Sequence, residues 1–392
     1  MNIIESNKTG RRFRPIAGII ALIIALGVCI DSEPVTAKSS VSAYQQWEAL
    51  GEAAARESFA LLKNIGAKPG KGNMLVLTNA GYAEIDGAST QGALDGLAQI
   101  TGASRGKNSL LEIHASAGDP LWFAIFDKVS GFCVYLEVDP QVAASWADIS
   151  GRLPSNTYQK RAVERIDFAY LTAHGSETKS KFEQKVFSGN EFRIVSIANA
   201  VAAGAPTRAV RAFEFHDHYC PGVTSGVLMA EYLNKNFAPQ VGGRTFVYAV
   251  EPWCKEDALL VLLNATPGKR AYAATFPTDA DKNRRLPQAK DACTVVYRQV
   301  GKSEKWEGIV LSFQWGETGC PQTENKLLDK VCADLWYLER MDRPEDFVKV
   351  IKTFKLPDGV APQDWARPGV DPMERLGLLQ PTRRKATKPK VK

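Results

Sequence analysis

Between residues 48 and 63, Leu50, Ala54, Phe59, Leu61 and Leu62 recur near helical spacing, which predicts an amphipathic helix. Short apolar runs at 74–77, 110–113, 121–126 and 132–138 predict strands, and 90–102 predicts a second helix placed between the first two of them. The same order then returns. Residues 221–236 predict a helix, 245–250 a strand and 254–264 a helix, followed by strands near 271–276, 293–300 and 309–313. Residues 157–174 predict a helix that bridges the two series, and 325–340 and 344–354 predict two more.

The repetition extends to residue identity. Gly92-Ala93-Leu94-Asp95-Gly96-Leu97 lies against Cys254-Lys255-Glu256-Asp257-Ala258-Leu259, and Gly102-Ala103-Ser104-Arg105-Gly106-Lys107 against Asn264-Ala265-Thr266-Pro267-Gly268-Lys269, both at an offset of 162 residues. A period this long exceeds the 20–50 residues of solenoid units. It predicts a duplicated α+β domain: two related cores in one chain, each a mixed sheet with packed helices, joined as an intrachain pseudo-dimer. A length of 392 residues accommodates them.

The ends of the chain have other characters. Arg11, Arg12 and Arg14 precede an unbroken apolar run over 16–30, and Val35-Thr36-Ala37 supplies a cleavage site. The run is too short for a membrane span and fits an export signal. The mature protein is therefore expected outside the cytoplasm, in the periplasm, meeting the membrane only through that signal. Disulfides are permitted there, and Cys320 and Cys332, flanking a polar stretch, are expected to use them. Pro, Gly, Lys and Arg dominate from Pro357 to Lys392, which reads as a disordered basic tail.

Charge excludes one class of partner. The net charge is +6, but residues 361–392 carry eight Lys/Arg against three acids and residues 1–37 carry four against three. The body between them is neutral and has no clustered basic face for nucleic acid.

The chemistry concentrates in Phe215-His216-Asp217-His218-Tyr219-Cys220-Pro221-Gly222, which holds two of the four His. In an extended segment His216, His218 and Cys220 would share one face. Two imidazoles and a thiolate suit Zn²⁺ or a similar transition metal. Pro221 is suited to the first position of a helix, so Cys220 is expected at a helix N-terminus, where the dipole favours its thiolate. Trp253-Cys254 opens the next helix. Cys254 is the candidate fourth ligand, or a partner for Cys220 in a redox disulfide. Asp257, one turn on, is placed to orient a His through its ring N–H. Lys269, in the turn Thr266-Pro267-Gly268-Lys269, is a candidate for holding an anionic group. An enzyme using this site would need a general base, for which Glu256 and Asp257 are the nearby candidates. His114 and His174 stand apart and are read as structural.

These strings resemble the FmdE family, named for formylmethanofuran dehydrogenase. His216-Asp217-His218-Tyr219-Cys220-Pro221-Gly222, Trp253-Cys254-Lys255-Glu256-Asp257-Ala258-Leu259 and Thr266-Pro267-Gly268-Lys269 carry the likeness, and Asp95-Gly96-Leu97-Ala98-Gln99 with Gly102 to Lys107 carries a weaker one. The family commonly has Gly where Asp217 stands. The resemblance implies an α+β core, often dimeric, with a metal-binding cleft built on the His/Cys loop. It implies neither molybdenum nor tungsten catalysis. The expected plan is a signal peptide over 1–37, a degenerate FmdE-like repeat over 38–150, a connecting segment over 151–206, an FmdE-like domain with the intact site over 207–356, and the tail over 357–392. The expected ligand is a metal or a small molecule that contains one.

Overall fold

The computed structural model describes residues 40–144 and 154–380; the expected export signal and the end of the basic tail lie outside them. The first half opens with helix α1 (Ser40–Asn64), then strand β1 (Met74–Thr78), a small hairpin of β2 (Glu84–Ile85) and β3 (Ala88–Ser89), and helix α2 (Gly92–Thr101). Strands β4 (Leu110–Glu112), β5 (Trp122–Asp127) and β6 (Phe132–Val138), helix α3 (Pro140–Ala144) and strand β7 (Tyr158–Arg165) complete it. Helices α4 (Phe168–Ala173), α5 (Gly175–Glu183), α6 (Glu191–Ala202) and α7 (Thr207–His216) lead to the second half. That half begins with helix α8 (Pro221–Asn236), strand β8 (Thr245–Ala249), helix α9 (Lys255–Leu262), strand β9 (Tyr272–Ala274) and helix α10 (Asp279–Asn283). It continues through strands β10 (Ala292–Gln299) and β11 (Trp306–Phe313), helix α11 (Lys326–Leu338), strand β12 (Val348–Lys355) and the short helices α12 (Pro362–Trp365) and α13 (Pro372–Arg375).

The two main sheets have one topology. The first is ordered β4-β1-β5-β6-β7 and the second β9-β8-β10-β11-β12. In each, the first two strands are parallel and all other neighbours antiparallel. A parallel pair needs a crossover, which α2 and α9 supply. Local backbone repeats as well. Gly102 (φ 71°) and Asn264 (φ 54°) are left-handed at the 162-residue offset, and so are Asn108 (φ 51°) and Arg270 (φ 54°). A Cβ on Gly51 would lie 2.2 Å from the carbonyl oxygen of Ala93, and one on Gly226 would lie 2.3 Å from that of Lys255. In both halves a glycine thus lets the leading helix touch the backbone of the crossover helix.

Each sheet is covered on both faces. Met74, Val76, Phe123 and Ile125 pack under α1 and α2, against Trp47, Leu50 and Leu97. The opposite face, with Leu75, Leu77 and Tyr135, receives Ile194 and Ile197 of α6, Phe213 of α7, Val223 of α8 and Val331 of α11. In the second sheet, Val247, Val296 and Leu311 pack against Met229 and Leu233 of α8 and Leu259 of α9. Its other face, with Phe246, Tyr248, Val295 and Tyr297, is covered by Trp365, Met373 and Leu376. The architecture is α+β with two mixed sheets, as the pattern predicts.

Three stretches differ from the sequence reading. Residues 157–174 form β7 before the short α4, so the first sheet extends to Arg165, past the boundary read at 150. Residues 344–354 form a 3₁₀ turn over Pro344–Asp346 and then β12. Both strands lie on a sheet edge. Lys and Arg there suit an exposed edge, which charge protects from further pairing, and the same charges imitate a polar helix. The segment from Pro357 to Gln380, read as disordered, is ordered: Met373, Leu376 and Leu378 are buried on the second sheet, and Leu286 donates its N–H to the carbonyl of Leu378 at 2.9 Å. Its few apolar residues suffice because the sheet face was already there to receive them. Cys320 and Cys332 form a disulfide that ties the chain after β11 to α11.

Candidate metal centre

Helix α7 ends at His216, and Asp217 takes the left-handed conformation (φ 70°) that reverses the chain into His218, Tyr219 and Cys220. Cys220 caps α8 with Pro221 at its first position. Cys254 caps α9. The two caps meet because Gly222 leaves room: a Cβ there would lie 3.1 Å from Sγ of Cys254 and 3.6 Å from Sγ of Cys220. His216, Cys220 and Cys254 each offer a donor atom, and all three lie within 4.8 Å of one another.

The ring of His216 is fixed from behind. Its Nδ1 is 2.7 Å from Oδ2 of Asp257. A carboxylate can only accept here, so Nδ1 carries the proton and donates. Nε2 is buried and without a hydrogen-bond partner, and it offers a lone pair once the ring is neutral. An orphaned ring nitrogen beside two sulfurs is the arrangement a metal would satisfy after displacing its proton. Asp257 therefore has the orienting place expected for it.

His218 is not brought into the cluster by an extended strand, as the alternating spacing suggested, because His216 closes a helix and Asp217 turns the chain. Its ring centroid lies 4.4 Å from that of His216, at an interplanar angle of 51°. Nδ1 of His218 donates to Oδ1 of Asp217 at 2.6 Å, and Oδ2 of Asp217 accepts from Nη2 of Arg193 at 2.7 Å. Arg193 lies 24 residues from Asp217 along the chain, and no sequence spacing signals its role.

Lys269 sits on the exposed turn Pro267–Lys269 at the far end of α9 from Cys254, where its Nζ donates to Oδ1 of Asn264. It is not brought to the cluster. Glu256 is buried and accepts from Nζ of Lys255 at 2.7 Å and from the N–H of Trp253 at 3.0 Å. Asp257 holds His216 through Oδ2, and Glu256 is paired with Lys255 through Oε2 while its Oε1 is buried without a partner. His114 stacks on Phe215 at 5.1 Å and His174 on Tyr170 at 4.0 Å, in packing roles.

The two sulfurs differ in charge, and not as their helix positions alone suggest. Cys220 donates its thiol hydrogen to Cys254, and that bond, with burial, pushes the Cys220 thiol far up. The same bond, then the facing His216, holds Cys254 well below the usual thiol range. Burial opposes the charge on His216, but Asp257 and Cys254 outweigh it and raise its pKa to about 9. The surroundings thus favour the thiolate at Cys254 over the one expected at Cys220.

The first half has no such cluster among its described residues. Gly92 stands where Cys254 stands, and the glycine match between Gly51 and Gly226 puts Trp47 opposite Gly222. A Cβ on Gly92 would lie 3.2 Å from Cβ of Trp47, which is buried.

Residues 215–341 match the FmdE family, described as FmdE, Molybdenum formylmethanofuran dehydrogenase operon. The FmdE match runs from the end of α7 through α11 and contains His216, Cys220 and Cys254, while the first sheet lies outside it. No curated protein matches the chain.

Proposed function

We propose that this protein is an exported metal-binding protein of the FmdE family. It holds one zinc-like transition ion, alone or within a small molecule, through His216, Cys220 and Cys254, with His218 beside them to complete the set. The buried, unpartnered Nε2 of His216 carries this reading. When bound, such an ion would act as a Lewis acid or a structural clamp. The protein's own residues supply the orientation, through Asp257, and the close approach, through Gly222. The two halves are read as tandem FmdE-like cores joined as a pseudo-dimer, the first having lost its site; the shared strand order and the matched glycines support this. Elemental analysis of the purified full chain tests the metal. About one ion per chain is expected, lost in the His216→Ala/His218→Ala double variant. Full metal content in that variant would sink the reading. N-terminal sequencing of the secreted form tests the cleavage after Ala37.

A second reading rests on the sulfur pair. Cys220 and Cys254 are close enough to be linked after a small movement, and Cys254 is the charged partner, so the same cleft suits a thiolate-dependent enzyme. Loss of turnover on Cys254→Ser without loss of metal would favour it.

A further inference from the structure

Helix α7 carries His216 at its end, and the first half of the chain holds its last turn. The side chain of Glu214, two residues before His216, is 5% exposed. Nη1 of Arg105 donates to its Oε1 at 3.0 Å and Nη2 to its Oε2 at 3.3 Å, a two-pronged grip between residues 109 apart in the chain. Such a paired contact of guanidinium and carboxylate fixes orientation as well as charge. Oε2 of Glu214 also accepts from Arg211 of α7 itself.

Other contacts run from the same part of the first half. The N–H of His114 donates to the carbonyl of Glu214 at 3.0 Å. That carbonyl lies in the last turn, where the helix has no N–H left to satisfy it. Nδ2 of Asn108 donates at 2.9 Å to Oγ1 of Thr207, at the start of α7, and Oδ1 of Asn108 accepts from Nη2 of Arg211 at 3.2 Å. Arg105, Asn108 and His114 thus hold α7 at both ends. At the 162-residue offset Pro267 stands where Arg105 stands, and proline has no donor with which to make the grip.

His216 tolerates little displacement. Its Nδ1 meets Oδ2 of Asp257 at 2.7 Å, and a ring nitrogen lies within 4.8 Å of both sulfurs. An α-helix rises about 1.5 Å per residue, so the grip on Glu214 acts about 3 Å along the axis from His216. Sliding or turning the last turn carries the imidazole with it. Without Arg105 the Glu214 carboxylate keeps Arg211, whose bond to it lies within α7 and ties it to nothing outside.

We propose that Arg105 is a positioning residue of the metal centre: by gripping Glu214 it sets the last turn of α7, and with it the ring of His216, so that the first half serves a site lying outside it. The proposal rests on the metal reading. The test uses the full chain and two readouts, zinc affinity by competition with a chromogenic chelator and, in the metal-free chain, the NMR signal of the His216 Nδ1–H, assigned by its loss in His216→Ala. Arg105→Met should weaken zinc by about tenfold, the lower end of what removing an outer support of a ligand costs, and should broaden the ring signal. Arg161→Met, which breaks the pair with Glu57 elsewhere in the first half, should change neither. The double variant Arg105→Met/Glu214→Met removes the buried charge together with its partner, so its melting temperature should return towards that of the parent. Its zinc affinity should stay low, because nothing sets the turn. A pair that only stabilises the fold would recover both together. Parent affinity in Arg105→Met, an unchanged ring signal there, or recovery of affinity in the double variant would overturn the proposal. If Arg105→Met does not fold, the double variant decides by the same criteria. A parent chain that takes up no zinc while showing the ring signal would fail the metal reading, and the signal in Arg105→Met would then decide alone whether Arg105 places His216.

Discussion

A Cβ on Gly222 would lie 2.8 Å from Cβ of Cys254, closer than two carbon atoms pack. The helices that deliver the two cysteines meet only because this position has no side chain. Gly222→Ala should therefore push the start of α9 away from α8. The expected result is a destabilisation of about 1–3 kcal/mol, typical of overpacking, together with weaker metal binding. Thermal unfolding and chelator competition on one preparation would check both. A variant as stable and as tight as the parent would show that the caps can separate without consequence.

Asp257 acts on the metal only through His216. The carboxylate is half-exposed, but its hydrogen bond ties His216 at the end of α7 to α9 and helps hold the imidazole charged, so Asp257→Ala should also lower the melting temperature modestly at neutral pH. Metal affinity should fall by about 10–100-fold, the usual effect of removing a group that orients a ligating imidazole. Competition against a chromogenic chelator gives the number. Unchanged affinity would mean that packing alone holds the His216 ring.

Most of this fold was legible in the chain because its strands are buried on both faces and its helices are amphipathic. The runs at 74–77, 121–126 and 132–138 had no helical alternative once Gly and turn residues bounded them. The elements that escaped are those whose neighbours decide them. β7 and β12 are edge strands whose Lys, Arg and Glu read as a solvated helix face until a sheet stands beside them. The site was legible in part for the same reason. His216, Cys220 and Cys254 were named by residue type and spacing, and Asp257 by its turn of helix. The left-handed Asp217 was not, and it removes the extended geometry that would have grouped His218 with them. Arg193, which holds Asp217 from another helix, has no local signal at all.

The thiol pair gives a prediction that reverses the one drawn from helix position. Cys220 starts α8, but it is buried and donates its hydrogen to Cys254. In metal-free, reduced protein Cys254 should alkylate first near pH 7, with Cys220 slower and the buried Cys133 and half-buried Cys293 slowest. Burial raises both of these last thiols, and the nearby Lys255 only partly offsets this for Cys293. Zinc should protect Cys254 and Cys220 and leave the other two unaffected. Mass spectrometry resolves each site. Faster labelling of Cys220 would reverse the assignment of the thiolate.

The same proton distribution fixes how metal binding responds to pH. A ligating imidazole must be neutral and a ligating sulfur deprotonated. Near pH 7 the metal-free cluster holds a proton on His216, whose pKa is raised to about 9, and another on Cys220, while Cys254 has already lost its own. Binding must expel the first two, so uptake of zinc at pH 7 should release about two protons per ion. Lowering the pH restores the competing protons and weakens binding, and raising it strengthens binding with a slope of about two decades per pH unit. Above about pH 9 the imidazole is neutral without help, and the slope should fall to about one, that of the Cys220 thiol alone. Calorimetry in buffers of different ionisation enthalpy counts the protons, and chelator competition from about pH 6 to about pH 10 gives the slope. His216→Ala should remove one proton from the count at pH 7 and erase the break near pH 9. A count near zero at pH 7 would mean that the cluster is already deprotonated, and the hydrogen bond from Cys220 to Cys254 would then have to be abandoned.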